Sequence, residues 1–83
     1  MPGDMPLDEA ERRFASSPDD FAAGLVLYVD ADNSGKPDVE EQILARMASV
    51  PQSPDYVHWL LANLLARLNK PDEAWKAFAQ LPR

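Results

Sequence analysis

The chain has 83 residues, enough for one domain, and 46 % of them are hydrophobic, enough for a core and too many for a disordered chain. Its 14 acidic and 8 basic side chains leave a net charge of −6, which repels phosphate backbones and anionic membrane surfaces, so neither nucleic acid nor membrane is an expected partner. The absence of cysteine excludes disulfides, thiolate chemistry and cysteine-ligated zinc.

Ahead of the first element, Met1-Pro2-Gly3-Asp4-Met5-Pro6 lacks the basic start and apolar stretch of a signal peptide. The first predicted helix covers about 6–16, with Asp8 and Glu9 in its first turn and Ala10 and Phe14 at i and i+4 on one face. The second covers 18–31 and follows Ser17-Pro18-Asp19, which reads as a helix start. Serine can cap the turn, proline tolerates the first turn because its missing N–H would be unpaired there, and aspartate favours the positive end of the helix dipole. Phe21, Leu25, Tyr28 and Val29 make its expected inner face. The uncharged stretch 21–29 is too short to span a bilayer, which needs about 20 residues, so a cytoplasmic protein is the default expectation.

The third predicted helix, 37–49, opens on Lys36-Pro37-Asp38 and carries Val39, Ile43, Leu44 and Met47. The fourth, 54–68, opens on Ser53-Pro54-Asp55, with Val57, Leu61, Leu64, Leu65 and Leu68 at helical spacing. The fifth, 71–81, opens on Lys70-Pro71-Asp72, and its Ala74 and Phe78 are expected to be buried against Leu61 and Leu65. Outside a brief ambiguity at 25–29, no segment alternates like a strand. Short connections imply helices packed roughly antiparallel in pairs, so the predicted fold class is all-α, in a single domain over 1–83.

The helix-start triplets alternate along the chain. Asp8-Glu9-Ala10 precedes Phe14-Ala15 as Asp72-Glu73-Ala74 precedes Phe78-Ala79, so the first helix looks like a copy of the last. The two Lys-Pro-Asp triplets lie 34 residues apart, the period of the tetratricopeptide repeat. Residues 54–82 resemble that repeat in kind as well. Leu61, Ala62 and Leu65 stand where its first helix has a leucine, a small residue and an aromatic; Asp72-Glu73-Ala74 and Phe78 stand where its second helix has Asp-Glu-Ala and an aromatic. Residues 18–51 are a weaker copy, with Glu40 where a small alanine belongs, and 6–16 would be half of a preceding unit. His58 and Leu65 also depart from the aromatic positions of the pattern. The resemblance implies a right-handed stack of helix pairs that binds other proteins; an unrelated bundle of proline-started helices is the alternative.

Catalysis finds little support. His58 is the one histidine, no serine sits in a nucleophile elbow, and three glycines make no phosphate loop. In a stack of helix pairs the first helix of each pair lines the concave surface, and Tyr56, Trp59, Asn63 and Arg67 share one face of the fourth helix. With Leu27 as a counterpart on the second helix, they are the candidate partner-binding residues; core packing of Trp59 is the alternative. Trp75 is either core or a docking surface for a further helix.

Residues 30–41 separately resemble an EF-hand calcium loop. Asp30, Asp32 and Ser34 offer oxygens at alternate residues, Gly35 allows the turn, Lys36 offers its carbonyl, and Asp38 and Glu41 complete the set. Pro37 stands where such loops have an apolar residue, and no sister loop exists. The alternative is a solvated turn with Asp38 and Glu41 as a capping pair. The sequence thus predicts a non-catalytic module binding a peptide or helix of a partner protein, with no cofactor required. A calcium-binding helix–loop–helix is the second reading, and self-association through open helix ends the third.

Overall fold

The computed structural model describes residues 5–81, so residues 1–4, and Pro82 at the end of the second repeat-like unit, lie outside the described residues. The chain is all-helical: α1 (Leu7–Ser16), α2 (Phe21–Asn33), α3 (Pro37–Ala48), α4 (Asp55–Arg67) and α5 (Pro71–Phe78). Among the described residues, backbones approach closely only between helices consecutive in sequence. No described helix is long and apolar enough to cross a membrane.

The helix starts use two devices. Pro37 and Pro71 each occupy the first turn of their helix, as their triplets predict. The serine triplets behave differently. Helix α2 begins three residues later than expected, capped by Asp20, whose side chain accepts the Ala23 N–H at 3.1 Å. Asp20 also accepts from Arg13 Nε at 2.8 Å, tying the end of α1 to the start of α2, so Ser17 and Pro18 belong to the turn. Helix α4 starts at Asp55 after Pro54 without a side-chain cap, and Ser53 bonds elsewhere. Helix α5 ends at Phe78, short of residue 81.

The main core joins Ala10 and Phe14 of α1, Ala23 and Ala31 of α2, Ile43, Leu44 and Met47 of α3, and Val57 and Leu64 of α4. A second cluster joins Ala62 and Leu65 of α4 to Ala74 and Ala77 of α5. The expected inner face of α2 is corrected here. Phe21, Leu25 and Tyr28 are half-buried and Val29 is exposed, while Ala23, Gly24 and Ala31 face inward. The reason is proximity: a Cβ at Gly24 would stand 2.7 Å from Met47 Sδ and 3.0 Å from Phe14 Cε1. Helix α2 lies between α1 and α3, and only its small-residue side permits that approach. Arg46 of α3 also reaches the Phe14 ring, 4.9 Å from its centroid.

At the other end, Ala74 and Leu65 are buried as expected, but Leu61 and Phe78 are only half-buried, because α5 packs on α4 alone. The structure therefore moves the decisive aromatic from Phe78 to Phe14, which is 3 % exposed. Phe14→Ala should cost about 3–5 kcal/mol of stability, and Phe78→Ala distinctly less. Urea unfolding of both variants against the parent checks the order.

Candidate functional site

Helix α4 is two-sided. Val57, Ala62, Leu64 and Leu65 supply its buried side, leaving the other face free for large polar and aromatic groups. On that face Tyr56 is 40 % and Trp59 53 % exposed, Asn63 is half-buried, and the Arg67 side chain is 63 % exposed. Asn63 Nδ2–H donates to the Trp59 carbonyl at 2.8 Å, which holds the amide along the helix between Trp59 and Arg67. The four residues form one continuous strip. Leu27 does not join it: that side chain packs against the main core from α2. Among the clefts away from the strip, one lies over His58, Leu61 and Leu65 between α3 and α5 and another over Leu7, Leu25 and Val29. Trp75 is 75 % exposed on α5, edge-on to Phe78 at 6.5 Å.

The acidic stretch folds as a helix–turn–helix corner rather than a wrapped loop. Asp30 and Asp32 lie in the last turn of α2, where residues two apart project to opposite sides of the helix. The Lys36 N–H donates to the Ala31 carbonyl at 2.9 Å and the Gly35 N–H to the Asp32 carbonyl at 3.2 Å, with Gly35 at φ +65°. This is a Schellman stop, which requires a residue at positive φ and explains the glycine without a metal. Ser34 is the helix cap, Lys36 is the residue before α3, and Asp38 and Glu41 sit inside α3 without forming a capping pair. Glu41 is engaged by Lys70 Nζ at 2.9 and 3.2 Å through its two carboxylate oxygens. No group of three or more His, Asp or Glu side chains among the described residues is arranged to hold a metal ion. Asp30, Asp32, Ser34, Lys36, Asp38 and Glu41 are spread over the end of α2, the turn and the first turns of α3.

The corner before α5 has the same backbone. Lys70 N–H donates to the Leu65 carbonyl at 2.9 Å and Asn69 N–H to the Ala66 carbonyl at 3.1 Å, with Asn69 at φ +62°. Lys36 and Lys70 then adopt nearly equal angles, φ −117° and ψ 75° against φ −119° and ψ 68°. The recurring triplets thus produce the same stop-and-start turn twice.

Glu40 figures in the sequence only as a departure from the small alanine of the repeat pattern. It is 3 % exposed, in register with Ile43, Leu44 and Met47 on the buried side of α3. Its Oε2 is buried without a hydrogen-bond partner, and the nearest cation, Arg67 Nη2, stands at 3.9 Å, beyond hydrogen-bond reach. Burial, and then the neighbouring Asp32 carboxylate, push its carboxyl above the usual glutamate range; Arg67 only partly offsets them. The Tyr28 hydroxyl is pushed up too, by burial and then by Glu40 and Asp32. Tyr28, Asp32, Glu40 and Arg67 therefore share one electrostatic neighbourhood contributed by α2, α3 and α4. A carboxylate in an apolar stripe was the available signal.

Ser53 Oγ and His58 Nε2 lie 2.8 Å apart, and Ser53 Oγ also reaches the Ala48 carbonyl at 3.5 Å. No described residue orients the other ring nitrogen, as a triad would require. The pair clamps the turn between α3 and α4 to the first turn of α4. Comparison of the chain with family models, curated proteins and solved structures returns no match.

Because the folded state raises the Glu40 carboxyl, the stability it contributes is full below the ordinary glutamate range and is lost as pH rises through its folded value. Asp20 has the opposite sign: its backbone bond to Ala23 and then its bond to Arg13 lower it, so its contribution is lost as pH falls. Glu40→Gln should leave stability little changed in acid and raise it by about 1–3 kcal/mol at neutral pH, where it removes a buried charge. Urea melts across pH check this. For the acidic corner, melting curves with calcium and with chelator should superpose; a shift abolished by Glu41→Gln would overturn that expectation.

Proposed function

We propose that this chain is a non-catalytic helical-repeat module, stacked in right-handed tetratricopeptide-like pairs, that docks a peptide or helix of a partner protein along the exposed strip of α4. The observation that carries the reading is the exposure of Tyr56 and Trp59 beside Asn63 and Arg67, on a helix whose core contacts are met by its opposite side. Exposed aromatics lose favourable burial, and tryptophan and tyrosine are among the residues most enriched at binding hot spots. A straight strip with a polar border suits a helix or extended segment. The repeat assignment is supported by the two matching corners before α3 and α5 and by the packing of each helix on its sequence neighbours.

Trp59→Ala should change folding stability by no more than about 1 kcal/mol, since the side chain is largely outside the core. It should remove partner capture. Immobilised parent and variant protein, exposed to lysate of the source cells and compared by quantitative mass spectrometry, test this, with circular dichroism confirming equal helicity. Equal capture by both proteins would overturn the assignment of the strip.

A further inference from the structure

We infer that the strip of α4 ends in a receptor site for a lysine or arginine side chain, formed by Asp32 and the buried Glu40, so that the docked partner is a basic amphipathic helix. The inference rests on the proposed docking strip and adds the chemistry of its occupant.

Asp32, at the end of α2, neighbours Glu40 of α3 where the two helices meet, and Arg67 only partly counters the pair. The last turn of α2 carries no basic residue, so its carbonyl end adds to the same negative potential. Surface carboxylates alone would be a solvated feature. Glu40 is different, because its buried Oε2 has no hydrogen-bond donor and faces Arg67 at 3.9 Å. A buried acceptor left unsatisfied is costly, and a charged donor is the group that relieves it most. Arg67 is the internal group nearest to that role, yet its largely exposed side chain stops short of a hydrogen bond. An ammonium or guanidinium from a partner, entering as the Arg67 side chain swings aside, would bond Glu40 and Asp32 together. The hydroxyl of Tyr28 lies in the same neighbourhood.

The strip also sets a spacing. Trp59 and Arg67 are about two helical turns apart, roughly 12 Å along α4. A partner helix lying along α4 would place an apolar side chain on Trp59 and a cation about two turns away at Glu40. The chain's net charge of −6 favours encounter with such a segment.

The test uses the full chain carrying Trp75→Phe, which leaves Trp59 as the sole tryptophan reporter. The probes are a helical peptide with leucine and lysine two turns apart and the same peptide with glutamate replacing lysine. The leucine–lysine peptide should bind and shift Trp59 emission, and the glutamate peptide should not. Glu40→Gln should weaken lysine-peptide binding about tenfold, as expected for loss of a charge-assisted hydrogen bond. Arg67→Met, which removes the competing cation, should strengthen it. Asp55→Asn, with the same charge change at the far end of α4, should have little effect. Equal weakening by Glu40→Gln and Asp55→Asn would overturn the site in favour of bulk charge. Equal binding of both peptides, lost with Trp59→Ala, would overturn the cation site and keep the strip. Failure of both peptides to shift Trp59 would remove strip and site together. Competition by calcium alone would replace the side-chain cation with a divalent one and overturn the inference.

Discussion

A Cβ at position 24 would press on both the Met47 sulfur, 2.7 Å away, and the Phe14 ring, 3.0 Å away, and would force those side chains to shift. At that point α1, α2 and α3 converge, and the remaining architecture is arranged around the contact. It turns the alanine–glycine side of α2 inward and leaves Leu25, Tyr28 and Val29 facing partly outward. It lets Phe14 and Met47 fill the space a larger α2 residue would take, and both are almost wholly enclosed. Close packing of this kind gains dispersion contacts on every side and tolerates little change in volume.

The same rotation of α2 has an electrostatic consequence. With the small residues inward, Tyr28 and Asp32 come toward the start of α3, where Glu40 occupies a core register. Helix α4 closes the other side and brings Arg67 near, but not near enough to bond. The fold thus contains one carboxylate whose burial is unbalanced, beside the helix face that carries the exposed aromatics. Two other ion pairs among the described residues sit at element junctions: Arg13 with Asp20 between α1 and α2, and Lys70 with Glu41 between the α4–α5 turn and α3. These are partly exposed and act mainly to orient the turns.

Helix count and type were legible in the residues because they depend on local chemistry. Proline after lysine starts α3 and α5, and glycine or asparagine two residues before that proline stops the preceding helix at positive φ, all within a few residues of chain. The two-sided character of α4 was legible for the same reason, since a 3.6-residue period separates Val57, Leu64 and Leu65 from Tyr56, Trp59 and Arg67 whatever lies nearby. The first serine triplet misled at the boundary, because Asp20 outcompetes Ser17 as cap once Arg13 reaches it. Spacing alone does not describe the acidic stretch, because oxygens at these intervals make a ligand set only if the chain wraps. Here α2 runs through Asp30 and Asp32 and points them apart.

What the sequence determined by itself was therefore the local grammar: five helices, their turn chemistry, the absence of strands among the described residues, and which face of α4 is apolar. Which face of α2 turns inward could be decided only in three dimensions, because periodicity ranks faces by hydrophobicity, whereas a helix wedged between two others is oriented by how closely their backbones come. Leu27, read as a surface counterpart, was carried against the core by that rotation. Glu40 likewise has a meaning no neighbouring residue conveys. Its charge is ordinary in a helix until Tyr28, Asp32 and Arg67 arrive from two other helices and water is excluded, and only then does a carboxylate become an unsatisfied group.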